Sequence, residues 1–342
     1  MTDDVHRKNA HVDSVLSGRV NYRDKTAGFE NIHFVHEALP ELNLADIDLS
    51  VQFLGKRLAL PFLISSMTGG PSRAEKINGN LAEAAEILGI AFAVGSQRVA
   101  LSRGELGGLG KQLRRRAPTA PLYANLGAVQ LVHGFGLEEL RRAVEMIEAD
   151  ALILHLNPLQ EALQIGGNTD WRGVEAAIEA ACTKLETPII VKEVGFGISP
   201  TTARRLANCG VAAIDVAGAG GTSWAAVEGS MTTDANLAKL AETFRDWGLP
   251  TALALQGVKQ ALPQMPLIGS GGVRTGMDAA KAIRLGADLV AQAGAVLAHA
   301  LQGPQAVVAH FEALASALRL ACFVTGSGDL KALRSAPLIN NL

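Results

Sequence analysis

The sequence predicts an α/β protein built as a (β/α)8 TIM barrel, and three observations carry that reading. Eight short apolar runs recur along the chain, each followed by a polar or glycine-rich turn and a stretch at helical spacing. Three of the intervening helical stretches stop on a glycine just before the next run, at Gly89, Gly210 and Gly286, where a left-handed residue can close a helix. Aromatic residues make up only 4% of a chain that carries 36 glycines, which suits many strand–helix joints better than an aromatic-rich sandwich. A doubly wound open sheet alternates in the same way. Eight units and glycine-rich turns after the last two runs favour closure.

Residues 1–59 form an N-terminal extension. Within it, "VHEALPELNLADIDLSVQFLGKRLALP" alternates polar and apolar positions and predicts a small hairpin across the barrel bottom. The barrel occupies 60–300. Its strands are read from "LPFLIS" (60–65), "IAFAVGS" (90–96), "PLYANLG" (121–127), "ALILHLN" (151–157), "PIIVKEV" (188–194), "VAAIDVAG" (211–218), "PLIGSGG" (266–272) and "ADLVAQAG" (287–294). Between them, Ile77, Leu81, Ala84 and Leu88 make one helical stripe, and Leu137, Leu140, Val144 and Ile147 make another. Ser199 is the expected N-cap of the helix that follows the fifth run, with Pro200 at its first position and Gly210 as its stop. Residues 301–342 read as a C-terminal helical tail. No linker or low-complexity tract interrupts the chain, so one domain is expected.

Bulk composition excludes several classes. The chain has 342 residues, is 48% hydrophobic and carries a formal net charge of −2, giving no electrostatic reason to expect nucleic acid or a membrane as partner. Cys182, Cys209 and Cys322 are scattered, without a CxxC pair, so neither a disulfide framework nor a zinc cluster is expected. Free thiols fit a reducing cytoplasm. The opening "MTDDVHRKNAHVDSV" lacks the apolar core of a signal peptide, and no run reaches the ~18 unbroken apolar residues of a membrane span.

In such barrels chemistry sits on the loops after the strands, so each strand end is informative. In the fourth run Ile153, His155 and Asn157 share one face while Leu152, Leu154 and Leu156 share the other. The polar face points into the barrel if the leucines meet the helices. Pro158 ends the pairing, and Gln160 and Glu161 follow on the loop. One carboxylate there suits magnesium when substrate phosphates and water complete the shell. Lys192, in the buried fifth run, is costly unless it meets an anion. Its neighbour Glu193 faces away by parity. The seventh and eighth ends offer backbone N–H groups of Gly271, Gly272, Val273, Ala293 and Gly294 for a phosphate. The sixth, "DVAGAGGTSW", is another glycine-rich loop carrying Thr222. "SSMTGG" and "GSQR" add hydroxyls, amides and an arginine, and "NLGA" adds Asn125. Arg114, Arg115 and Arg116 read as a solvated helix face.

Together, "RKNAH", "SSMTGG", "GSQR", "NLGA", "HLNPLQE", "KEVGFGIS", "GAGGTSW" and "SGGVRTG" resemble type 2 isopentenyl-diphosphate isomerase, the flavin-dependent family. The match runs from about Arg7 to the end of the eighth strand. "HLNPLQE" followed by "KEVGFG" is its specific part. The resemblance implies a barrel holding FMN, with Mg2+, a small-molecule diphosphate substrate, NADPH as flavin reductant, and a homo-oligomer, tetramer or octamer. It also implies residue roles. Ser66, Met67, Thr68, Ser96, Asn125, Lys192 and Thr222 would contact the flavin; Gly271, Gly272, Val273, Ala293 and Gly294 would lie at its phosphate end. Arg7, Lys8, Ser96, Gln97, Arg98, His155, Asn157 and Gln160 would bind substrate, and Glu161 the magnesium. Lys192, Gln160, His155 and Asn157 would be the catalytic set, Gln160 for orientation. Ala10 stands where many relatives carry an acidic or polar residue, which removes any side-chain hydrogen bond from that position.

The implied reaction is a 1,3-allylic proton shift from isopentenyl to dimethylallyl diphosphate, with reduced flavin as acid and base. An unactivated alkene is a weak base, so its proton must come from a well-placed acid in a dry pocket. A rival reading is an FMN-dependent oxidoreductase of a hydroxy acid or nucleotide. Against it, the sixth loop has Thr222 and Ser223 and no cysteine for covalent attack. A flavin-binding barrel without activity finds support in Ala10 and is opposed by Lys192, Gln160 and Glu161.

Overall fold

A computed structural model describes residues 3–67, 73–104 and 108–339; for 3–9, 73 and 103 only the backbone is described. The extension begins with helix α1 (Asp3–Leu16) and ends in the expected hairpin, β1 (Val51–Phe53) antiparallel to β2 (Lys56–Leu58). The barrel strands are β3 (Phe62–Ile64), β4 (Ala91–Ala93), β5 (Leu122–Gly127), β6 (Ala151–Leu156), β7 (Ile189–Glu193), β8 (Ala213–Asp215), β9 (Leu267–Ser270) and β10 (Leu289–Gln292). Each lies inside one of the eight apolar runs. All pair in parallel with their chain neighbours, and β10 pairs with β3 to close the barrel.

The helices are α2 (Arg73–Leu88), α3 (Arg98–Arg103), α4 (Gln112–Arg116), α5 (Leu137–Ile147), α6 (Pro158–Leu163), α7 (Val174–Lys184), α8 (Pro200–Asn208), α9 (Trp224–Met231), α10 (Ala235–Thr243), α11 (Thr251–Ala261), α12 (Gly276–Arg284), α13 (Gly294–Gln302), α14 (Pro304–Phe323) and α15 (Leu330–Ser335). Ser199 caps α8, its side chain accepting from Thr202 N. Gly89, Gly210 and Gly286 all take positive φ.

Strand parity divides the core in two. Leu152, Leu154, Val191, Ile214 and Leu267 pack outward against the helices. Leu63, Ala93, Tyr123, Ile153, Ile190, Ala213 and Ile268 fill the barrel, and Phe53 and Leu58 of the hairpin plug its lower end. Apolar packing therefore closes the bottom, and the next inward positions along the strands form the floor of the open end.

Three expectations need correction. Gln160 and Glu161 stand on α6 and not on a loop, because Pro158 starts a helix as readily as it stops a strand. Arg114 is no solvated side chain: it donates to the carbonyls of Ala117, Ala120 and Glu148 and pairs with Asp150 at 2.7 Å. The C-terminal helices, read as a tail apart from the barrel, are not separate from it. α14 packs on α2, α12 and α13 and buries Val307, Phe311, Leu314 and Leu318. It is long and apolar enough to cross a membrane, but that apolar face belongs to the core.

Candidate active site

The open end of the barrel holds a cavity of about 470 Å3. Its floor is a polar layer one step above the apolar plug. Asn125 on β5, His155 on β6, Lys192 on β7, Asp215 on β8 and Ser270 on β9 follow, at every second position, inward-facing residues of the plug. The layer is internally bonded. His155 Nδ1 lies 2.9 Å from Asn125 Oδ1, and Asn125 Nδ2 donates to Ser66 Oγ at 2.9 Å. With the amide so oriented, His155 carries its proton on Nδ1. Burial, with Lys192 and Arg98 nearby, lowers its pKa to about 3, so it is a neutral imidazole at ordinary pH.

Lys192 Nζ donates to the carbonyl of Glu193 at 2.6 Å, whereas the Glu193 carboxylate turns to the other face. There its Oε2 accepts from the N–H groups of Val194, Gly195 and Phe196. Burial pushes that carboxyl up to about 7 against the pull of those donors. No internal salt bridge joins the two residues, as parity required.

Above the floor, α6 supplies a second polar knot. Asn157 Nδ2 donates to Gln160 Oε1 and to Glu161 Oε1, both at 3.2 Å. Gln160 Nε2 donates to Glu228 Oε1 of α9 at 2.9 Å, and Asn168 N donates to Glu161 Oε2 at 2.6 Å. His11 of α1 approaches Glu228 to 3.4 Å without hydrogen-bond alignment and stands edge-on to Trp224 at 5.1 Å. Helix α1 packs against α9 and α13, and its Val12 and Val15 line the cavity.

The third wall is backbone. The loop after β8 and the turn after β9 touch. A Cβ on Gly271 would lie 2.0 Å from Gly218 O, and one on Gly272 would lie 2.6 Å from Gly220 C. Both glycines also have positive φ. Only glycine permits that approach. Helix α13 starts at Gly294 with its N-terminus at the same end of the cavity.

The structure brings together Ser66, Met67, Ser96, Arg98, Asn125, His155, Asn157, Gln160, Glu161, Lys192, Thr222, Gly271, Gly272, Val273, Ala293 and Gly294, all of which line the cavity. Thr68 lies outside the described residues, and Arg7 and Lys8 lie on the stretch of α1 described by backbone alone. Gln97 is a correction. Its side chain is fully buried on the helix side, where Nε2 donates to Ala143 O and Oε1 accepts from Asn125 N, both at 2.9 Å. It braces the end of β5 instead of facing a ligand. Sequence reading missed Glu228 and Asp215. Glu228 sits in an apolar helix, "WAAVEGSM", where a single buried acid (4% exposed) was the available signal.

Comparison with known proteins agrees with this arrangement. The family model described as FMN-dependent dehydrogenase matches residues 5–101 and 155–340. Isopentenyl-diphosphate delta-isomerase of Xanthobacter autotrophicus is 60% identical, covering 97% of this chain and 96% of that protein. The enzyme of the same name from Stutzerimonas stutzeri is 59% identical over 98% and 97% of the two chains. That from Synechocystis is 50% identical over 99% and 97%. The chain belongs to the isopentenyl-diphosphate delta-isomerases, within the FMN-dependent dehydrogenase family. Among solved structures, the lactate oxidase of Pediococcus acidilactici superposes with a TM-score of 0.67 at 18% identity, covering 98% and 94% of the two chains. A mandelate oxidase variant gives 0.66 at 18% identity over 94% of each. At that identity the likeness is one of fold, the flavoenzyme TIM barrel.

The residues fit FMN and magnesium differently. For FMN, the glycine contacts, the α13 N-terminus and Lys192 offer backbone donors at one end and a cation near the floor. For magnesium, no group of three or more acidic, histidine or cysteine ligands exists among the described residues. Glu161 is a single carboxylate beside Asn157, whose buried Oδ1 has no partner. That set suits a cation held jointly with phosphate and water, not a closed protein cage.

Proposed function

We propose that the protein interconverts isopentenyl and dimethylallyl diphosphate through a 1,3-allylic proton shift. One carbon gains a proton, another loses one, and no net electrons move. The carrying observation is that α6 presents Gln160 and Glu161 into the same cavity that Lys192 enters from β7. An ionic grip and a flavin-sized floor thus share one chamber, and full-length relatives of the same isomerase name support the assignment.

Reduced FMN, when bound, supplies the acid and base for proton transfer at carbon. The Lys192 ammonium, which lines the cavity, would favour negative charge on a flavin ring held there. Neutral His155, braced by Asn125, offers a fixed imidazole without a competing positive charge. Glu161 would hold Mg2+ shared with the diphosphate, and Ser96 and Arg98 would add hydroxyl and cationic contacts, with Arg7 and Lys8 the further cations that the resemblance assigns to the substrate. Gln160, tied to Asn157 and Glu228, orients the allylic group. Helix α1 excludes water from above.

NADPH as reductant and a cytoplasmic location belong to the same proposal, the latter supported by three free cysteines. A homo-oligomer, tetramer or octamer, is supported by exposed Leu240 on α10, Leu253 on α11, and Trp247 and Leu249 between them. The oxidoreductase alternative is not favoured by relatives this similar. Anaerobic incubation with isopentenyl diphosphate, omitting FMN, Mg2+ and NADPH in turn, tests the reading. Product should form only with reduced flavin and magnesium. Stoichiometric substrate oxidation would overturn it.

A further inference from the structure

One buried ionisable group of the floor has no part in the function above. Asp215 is 0% exposed, and its parity with Ala213 points it into the barrel. Cα pairing sets it directly beside Lys192 on the neighbouring strand. Its Oδ1 accepts from Ser270 Oγ at 2.6 Å and from Ala217 N at 3.1 Å. Ala217 holds a positive φ of 36°, a strained conformation for a residue with a Cβ, while it makes that bond. Oδ2 is buried with no hydrogen-bond partner. A carboxylate oxygen left bare in a barrel is costly unless a cation compensates it, and Lys192 is the adjacent cation. The imidazole of His155, on the strand beyond Lys192, is neutral at ordinary pH.

We infer that Asp215 is a positioning residue that acts through Lys192, its carboxylate offsetting part of the ammonium's charge from the next strand and limiting how strongly that ammonium favours a negatively charged flavin ring. This rests on FMN occupying the cavity as proposed above. Burial raises the Asp215 carboxyl above its ordinary value, with Lys192, Ser270 and Ala217 opposing that only in part, so its negative charge depends on the cation beside it. The positive charge of the lysine is thereby offset in part by a fixed carboxylate on the next strand before it acts on a bound ring. The carboxylate keeps the oxidised, neutral ring bindable and moderates the gain in affinity when the ring becomes anionic.

The test reads the bound flavin by its spectrum. Purified holoprotein, reduced anaerobically, is titrated with pH to find where the ring loses its N1 proton, and its midpoint potential is measured beside it. Asp215→Asn frees the ammonium and should lower that ionisation by about one pH unit, the effect of unmasking one nearby cation. The potential should rise with it. In a Lys192→Met background the same substitution should shift the ionisation much less. Equal shifts in both backgrounds, or no shift in the single variant, would overturn the inference. If Asp215→Asn does not fold, Ser270→Ala, which strips one hydrogen bond from the carboxylate, should produce a smaller shift of the same sign; a shift of opposite sign or none would count against it. Failure of the unsubstituted protein to bind FMN would instead sink the functional reading.

Discussion

Replacing Gly271 by alanine would drive a methyl group into the carbonyl of Gly218. The added Cβ would sit 2.0 Å from Gly218 O and 2.6 Å from Gly218 N, so one loop must retreat by more than an ångström. Two costs combine. The residue has φ +99°, and left-handed backbone costs an L-residue about 1–2 kcal/mol. Overpacking against a rigid neighbour adds about 1–3 kcal/mol. Together they give about 2–5 kcal/mol.

Gly134→Ala isolates the first cost. Gly134 has φ +101° and nothing within 4 Å of its virtual Cβ. At roughly 2.1 cal/mol/K per residue, a chain of this length loses about 1.4 °C of Tm per kcal/mol. Gly271→Ala should therefore melt about 3–7 °C low, and Gly134→Ala about 1–3 °C low. Retreat of the Gly218 loop should also weaken FMN by about tenfold or more, or 1.4 kcal/mol, while Gly134→Ala binds normally. Thermal melts and fluorescence titration with FMN measure both. Equal melting of the two variants, with unchanged FMN affinity, would refute the claim that this contact shapes the cofactor end.

Glu161→Gln should lose at least about tenfold of magnesium-dependent turnover with FMN affinity unchanged; turnover at the original level in a magnesium titration would exclude the residue as ligand. Gln97→Leu leaves Asn125 N unmatched and removes the second donor to Ala143 O, and should cost about 1–3 kcal/mol in denaturant unfolding, a loss that a surface substrate contact would not produce. His155, whose pKa falls from an ordinary 6.5 to about 3 on folding, is neutral in the fold while the unfolded chain takes up a proton between those values. Stability must therefore drop as pH falls through that window, by about 2 kcal/mol at pH 5 from this group alone, and a His155→Gln variant should lack that part of the slope.

What was legible in the sequence was what obeys a short period. Each of the eight apolar runs became a barrel strand because parallel strands covered on both faces must be apolar throughout. Parity alone placed His155 and Lys192 inside and Glu193 outside. Gln97 escaped because it does the opposite of its neighbours in the motif. In "GSQR", Ser96 and Arg98 reach the cavity while the residue between them turns back into the helix layer, toward Ala143 of α5. That partner is distant in sequence. Glu228 and Asp215 escaped for a related reason. Each is a lone acid in an apolar stretch, and its meaning comes from Gln160 or Lys192 on another element. Gln160 and Glu161 were found but placed on a loop, because proline stops a strand and opens a helix with the same fixed φ.

The fold itself does not choose the reaction. Oxidases that share this barrel at TM-scores of 0.66–0.67 share it at only 18% identity, so the scaffold and the chemistry have diverged independently. What decides chemistry is the set of groups projecting above the apolar plug. A redox-neutral proton shift asks the protein to hold an anionic tail firmly and leave the alkene face without competing acids. Under the proposed function separate elements would meet the two demands: Glu161 and Asn157, through a shared cation, on one rim, and a floor where His155 is neutral and Lys192 is already engaged. Because α6 starts at Pro158 directly after β6, and β6 pairs with β7 in register from Leu152 with Ile189 to Leu156 with Glu193, the separation of rim and floor is set by sheet geometry and not by loop flexibility. A slip of one residue in that pairing would turn Lys192 out of the barrel and bring Glu193 in. The sign of the floor would then reverse, and with it the charge that the site can stabilise.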